Sequence, residues 1–128
     1  MRATMNLLVP SLCFEEIDFD LVWQSPARTV TESDIRTFAG YSGDFNAIHI
    51  DHEYAKTTAY RRPIAHGFGI FSIASGLGTN SPATHTVALI AVRDWRFTAP
   101  VFIGDTIRMV SRVAEKTLKG VGKRGRLV

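Results

Sequence analysis

The sequence predicts an α+β domain in which a curved antiparallel sheet wraps around one central helix. Three features lead there. Residues 64–78 contain no charged side chain, and a helix without a polar face must be covered on all sides. After Pro82 the chain turns β-branched and apolar over residues 87–92, and the run continues through Trp95 and Phe97, as strands do. Residues 106–113 then alternate, with Ile107, Met109 and Val113 on one face and Arg108 and Arg112 on the other. The chain has 128 residues, the size of one domain. In so small a body only a sheet that curls around the helix can cover it, and helices followed by consecutive strands belong to the α+β class.

The elements follow in order. Residues 14–23 mix acidic and apolar side chains in rough alternation and read as extended. Thr31 with Asp34 three positions on is a carboxylate version of the capping box. Ile35, Phe38 and Ala39 share one face, and Gly40 is a plausible stop, giving a short amphipathic helix over 32–39. Residues 41–50, rich in Asp, Asn and Gly, read as irregular. Asp51 caps a second short helix through Thr57. Residues 58–62 form a loop, and Pro63 suits the first turn of the central helix. Pro100 interrupts the strand-rich half, and Gly104 with Asp105 makes a turn. Residues 120–128 begin a further strand.

Composition narrows the function. With 45% hydrophobic and 21% charged residues, the chain is not intrinsically disordered. Its longest nearly apolar stretch falls short of the ~20 residues a bilayer span needs, and no signal peptide opens it. One cysteine, Cys13, allows neither an internal disulfide nor a multi-thiolate metal site. These features predict a soluble, cytoplasmic protein. The formal net charge is +3. Its densest basic patch, Lys116, Lys119, Lys123, Arg124 and Arg126, lacks interleaved aromatics, so it reads as a solvated strand or hairpin rather than a nucleic-acid face, or, functionally, as an attraction for a phosphate-bearing ligand.

The densest polar cluster is Asp44, Asn46, His49, Asp51 and His52. Asp44 and His49 can form an acid–base pair, since imidazole relays protons near neutral pH and a carboxylate orients water. His49, Asp51 and His52 are metal-ligating types, but three ligands in four residues do not easily converge on one ion. Alternatively, Asp and Asn simply close turns. His66-Gly67 opens the apolar helix. Free N–H groups there, at the positive end of the helix dipole, can hold an oxygen that becomes negative during reaction; equally, His66 can be a core histidine. Ser72 and Ser75 are the hydroxyls of that helix, and such serines usually bond back to their own helix. Cys13 has no basic neighbour in sequence and makes a poor nucleophile.

Together these residues resemble the MaoC-like dehydratases, which include (R)-specific enoyl-CoA hydratases. The resemblance rests on Tyr41-Ser42-Gly43-Asp44-Phe45-Asn46-Ala47-Ile48-His49-Ile50-Asp51, then Arg62-Pro63-Ile64-Ala65-His66-Gly67, with supporting matches at residues 28–34 and 97–106. It covers about residues 14–113. It implies the hot-dog fold, a single such domain over 1–128, and a homodimer at least. It implies reversible addition of water to a 2-enoyl thioester carried by CoA or an acyl carrier protein, with no metal or redox cofactor, no nucleic acid and no membrane. By the same resemblance Asp44 and His49 are the catalytic pair, Asn46 positions them, Gly67 N–H is the oxyanion donor, and Ser75 and His66 lie on the substrate side. A hot-dog thioesterase and a non-catalytic acyl-thioester-binding subunit are the alternatives. The sequence departs at Ala47, where the family usually has proline. Family members also continue with strand residues past a position like Val128.

Overall fold

The computed structural model describes residues 11–80, 82–119 and 125–128. The chain begins with a 3-10 turn, Phe14–Glu16, and strands β1 (Val22–Gln24) and β2 (Arg28–Thr29). Helices α1 (Glu32–Ser42), α2 (Ala47–Ile50), α3 (His52–Thr57) and α4 (Gly67–Gly78) follow, then strands β3 (Thr106–Ile107), β4 (Val110–Arg112), β5 (Lys116–Leu118) and β6 (Gly125–Leu127). The pairs β1–β4, β2–β3 and β5–β6 are all antiparallel. Four helices in the middle of the chain and antiparallel strand pairs formed by its flanking parts give the expected α+β class.

The single alternating strand expected over 106–113 is split in two. Its partner strand is broken at Ser25-Pro26, so β3 pairs with β2 and β4 with β1, while the Ser25 hydroxyl takes the Met109 N–H at 2.9 Å. The alternation itself holds: Ile107 and Met109 are half-buried and Val113 buried, whereas Arg108 and Arg112 face solvent. The basic tail forms the β5–β6 hairpin; Lys123 and Arg124 lie outside the described residues.

α1 starts where the capping box places it. The Thr31 hydroxyl accepts the Asp34 N–H, and the Asp34 carboxylate accepts the Thr31 N–H at 2.8 Å. The helix passes through Gly40 and ends at Gly43, which adopts φ +80° and returns its N–H to the Ala39 carbonyl. Gly40 has no such turn to make, so it stays helical. Part of the irregular segment is therefore helix: Asn46 caps α2 by accepting the Ile48 N–H. Asp51 caps α3 by accepting from Glu53 and Tyr54.

Three expectations fail in the middle of the chain. The central helix begins at Gly67, not near Pro63, because the backbone of Ile64 and Ala65 bonds elsewhere, to Ile48 O at 3.2 Å and Val101 O at 2.7 Å. These bonds hold residues 64–65 extended. The helix is not covered on all sides: Gly69 is its buried residue, and Phe68 is 72% exposed. No strand forms over residues 87–97. Val87, Leu89 and Ile90 stay exposed there, and strand propensity needs a pairing neighbour that the described residues do not provide. The segment still meets α4 through its aromatic end: Trp95 packs edge-on against Phe71 at 4.6 Å and Phe97 against Phe68 at 6.1 Å.

The core sits beneath α1. Val30, Ile35 and Ala65 are buried together, with Ile50, Ile70, Val101, Ile103 and Ile107 packed around them. This cluster fixes the start of α4 against α1 and the 101–107 segment. Among the described residues no helix is long and apolar enough to cross a membrane.

Candidate active site

The loop between α1 and α2 and the start of α4 converge on one spot. Asp44 leaves α1 through the left-handed turn at Gly43. Its Oδ1 accepts the Asn46 N–H at 3.2 Å, and Asn46 Oδ1 in turn accepts the Ile48 N–H at 3.2 Å. These short-range bonds are turn chemistry. They also aim Asp44 back over α2, where His49 stands.

His49 Nδ1 lies 2.7 Å from the Ile64 carbonyl. A carbonyl only accepts, so Nδ1 carries a proton, and in the neutral ring Nε2 presents a lone pair. That Nε2 is 4.0 Å from Asp44 Oδ2, too far for a direct hydrogen bond. A water about 2.8 Å from each would subtend roughly a right angle between them, a comfortable hydrogen-bonding position. The carboxylate side chain is half exposed and the imidazole largely buried, so solvent reaches the gap from one side.

His66 is 3% exposed and meets the site from behind. Its Nε2 is 2.9 Å from the Asp44 carbonyl, and its ring lies 3.9 Å, centroid to centroid, from that of His49. Phe38 of α1 packs on the ring at 5.0 Å. Gly67 follows as the first residue of α4; the opening N–H groups of a helix have no partner within it and carry positive partial charge. A β-carbon at Gly67 would fall 2.9 Å from Phe97 Cζ, so glycine lets that ring close over the helix start.

The structure thus brings together Asp44, Asn46, His49, His66 and Gly67. Ser75 is not with them: it sits eight residues along α4 from Gly67, about 12 Å at 1.5 Å per residue, on an exposed position. Asp51 and His52 turn away, the first capping α3 and the second facing Glu32 at 3.4 Å. The metal-ligating group that does converge is Asp44, His49 and His66, whose donor atoms lie within 4.8 Å of one another. Two imidazoles and a carboxylate are a donor set that suits zinc. The carbonyl oxygens of Ile64 and Asp44 engage His49 Nδ1 and His66 Nε2, which leaves His49 Nε2, His66 Nδ1 and Asp44 Oδ2 facing one another, as in imidazoles whose second N–H is held by a carbonyl.

Beside the pair, an apolar cavity of about 350 Å³ lies between α1 and α4, lined by Ile35, Phe38, Ala65, Ile70 and Ile73 with His66 at its edge. Asp34 borders it. Burial tends to raise the Asp34 carboxyl, but hydrogen bonds from Thr31 and the adjacent Arg28 guanidinium outweigh this and hold it below the usual range. Glu32, bonded to Arg36 and facing His52, is likewise lowered.

Sequence reasoning missed two contributors. The Ile64 carbonyl sets the His49 tautomer, and no residue type signals a backbone atom. Phe97 closes over Gly67 from far along the chain; it is an apolar residue in a strand-like run, which gives no sign of a site.

The comparisons with known proteins bear on this geometry. The family profile described as "MaoC like domain" matches residues 20–126. An (R)-specific enoyl-CoA hydratase of Rhodospirillum rubrum is 43% identical over 84 residues, which are 65% of this chain and 57% of that protein. The chain spans between 32% and 57% of the length of that relative and the next two it matches. Among solved structures, a monoamine oxidase regulatory protein from Archaeoglobus fulgidus superposes with TM-score 0.74 at 38% identity, over 87% of this chain and 76% of that one. An R-hydratase from Pseudomonas aeruginosa superposes with TM-score 0.70 at 28% identity, over 83% and 67%.

Proposed function

The chain belongs to the MaoC-like domain family and has its hot-dog fold, and from that premise we propose that it hydrates 2-enoyl thioesters reversibly. The observation that carries the reading is the 4.0 Å gap between Asp44 Oδ2 and the unprotonated Nε2 of His49. Water held there gives a proton to the pair as its oxygen bonds to C3 of the substrate. The electron pair of the double bond moves to the thioester oxygen, which takes on negative charge. The N–H of Gly67, at the positive end of α4, stabilises that oxygen. The proton then goes from the pair to C2 as the enolate collapses. Water is consumed whole, nothing is oxidised, and no metal or redox cofactor takes part. Asn46 holds Asp44 in place through its N–H. Ser75, too far off to touch the reacting atoms, belongs to the substrate's path along α4.

The substrate is an acyl-CoA or acyl-carrier-protein thioester, and the setting is cytoplasmic. A second copy of the chain is the partner we propose, supported by the exposed apolar side chains Val87, Leu89, Ile90 and Val92 and by Phe68.

The test is a direct assay on purified protein with short and medium trans-2-enoyl-CoA substrates. Loss of the conjugated thioester and release of free thiol are followed together, with chiral analysis of the product. Loss of conjugation without thiol, giving the (R)-3-hydroxyacyl thioester, is the expected result. Thiol release would move the protein to the thioesterases, and silence in both channels would point to a partner-dependent subunit or to a substrate outside the panel.

A further inference from the structure

We propose that His66 is a positioning residue that holds Asp44 and His49 in register, a role that rests on the hydratase reading above. Three contacts converge on this one side chain. Since the Asp44 carbonyl only accepts, the 2.9 Å contact makes His66 Nε2–H the donor. The same ring stacks on His49 at 3.9 Å with a 32° tilt. Its own backbone carbonyl takes the Ile70 N–H at 3.0 Å and so starts α4, next to Gly67. One residue therefore ties together the backbone beneath the carboxylate, the face of the imidazole and the helix terminus.

The alternative is plain filling of the core. Two facts weigh against it. His66 Nδ1 is buried with no hydrogen-bond partner among the described residues, a penalty that an alkyl side chain of similar size would avoid. The Asp44 loop is otherwise held by short-range bonds: Asp44 N–H to Ser42 Oγ at 3.2 Å and Asn46 N–H to Asp44 Oδ1 at 3.2 Å. These bonds shape the turn without anchoring it to the rest of the protein. Of the Asp44 bonds described, the one from His66 reaches a residue distant in sequence. His66 is 3% exposed, and its contacts with the Asp44 carbonyl and the His49 ring make it act through the pair.

The test uses His66→Gln, His66→Leu and His66→Asn in the full chain. The glutamine amide places an N–H donor where Nε2 stands; leucine has no donor, and asparagine is too short to reach Asp44. Expected is kcat within about 5-fold of wild type for His66→Gln. A fall of roughly 100-fold, with KM unchanged, is expected for the other two, the scale of a small misplacement of reacting groups. Two loss variants guard against one that fails to fold. Equal kcat in all three, or a loss that falls on KM, would overturn the proposal. An independent readout is the 15N imidazole spectrum of wild-type protein. His66 protonated at Nε2 is expected, and protonation at Nδ1 alone would overturn the contact whatever the activity. Wild-type protein with the expected tautomer but no hydration would instead sink the functional reading, and the positioning role with it.

Discussion

Replacing Asp44 by asparagine and His49 by asparagine, singly and together, tests whether the two act as one unit. Both substitutions are chosen to leave the scaffold intact. The asparagine amide oxygen at position 44 still accepts the Asn46 N–H, now 3.2 Å from Asp44 Oδ1. At position 49 the amide nitrogen falls near the place of Nδ1 and still donates to the Ile64 carbonyl, now 2.7 Å away. Each change removes only the group facing the 4.0 Å gap. General acid–base groups contribute at least ~100-fold to rate, and 100-fold is about 2.7 kcal/mol of barrier. Each single variant should therefore lose at least ~100-fold in kcat, with thermal stability close to wild type. Two groups that share one water fail together. The double variant should be little worse than the worse single one, not ~10,000-fold down, because effects within a catalytic unit do not add. The assay is loss of enoyl-thioester absorbance under saturating substrate, with free thiol monitored in parallel. Near-normal turnover in either single variant, or additive loss in the double, would refute a shared water between Asp44 and His49.

Gly43 at φ +80° ends α1, and although nothing lies within 4 Å of an added β-carbon, the left-handed backbone disfavours one by about 1 kcal/mol. Gly43→Ala should lower Tm by roughly 3–5 °C and reduce kcat through the Asp44 loop; an unchanged Tm would contradict the cap. Ala47→Pro should raise stability by ~0.4–1 kcal/mol: Ala47 is the first residue of α2, Asn46 before it already has ψ 131°, and proline suits both constraints. A lowered denaturation midpoint would show that the Ala47 N–H is in use. Because the Asp34 carboxyl is held below its ordinary range by Thr31 and Arg28 against the opposing effect of burial, its contribution is present above about pH 4 and is lost as pH falls through the lowered value. Arg28→Ala should flatten acid unfolding below pH 4, and identical acid limbs would remove the coupling. Cys13, exposed and free, should tolerate Cys13→Ser with unchanged turnover; inactivation by a thiol reagent that tracks this residue would contradict the mechanism.

What the sequence made legible was mostly local. The Thr31–Asp34 box and the Asp51 cap are spacing signals whose partners lie within three residues, so the bonds can be read before the fold is known. Asp44, Asn46 and His49 were legible as a cluster for the same reason. What escaped was the reach across the chain. Gly40 and Gly43 are both helix-stop candidates by type. The choice of Gly43 depends on which one returns its N–H to Ala39. The helix start moved from Pro63 to Gly67 because Val101 and Ile48 claimed the backbone of residues 64–65, and neither competitor is visible in that stretch. Residues 87–92 are β-branched and apolar yet form no strand, since pairing is a property of two segments rather than one.

The same distinction explains how the site is built. The two distant groups that orient Asp44 and His49 are met through main-chain oxygens: His66 bonds the Asp44 carbonyl, and His49 bonds the Ile64 carbonyl. The third group of the proposed mechanism, the N–H of Gly67, is also main chain. Side chains at Ile64 and Phe45 therefore have no direct hold on the chemistry. What matters is where the backbone runs, and that is set by Gly43 at one end and by the extended residues 64–65 at the other. A polar cluster made only of side chains would be open to any substitution that alters reach. One referenced to the backbone is disturbed chiefly by changes that move the chain. Substitutions that shift the backbone at 43, 47 or 63–67 should thus cost activity out of proportion to stability, whereas conservative changes of exposed side chains on the same loop should cost neither.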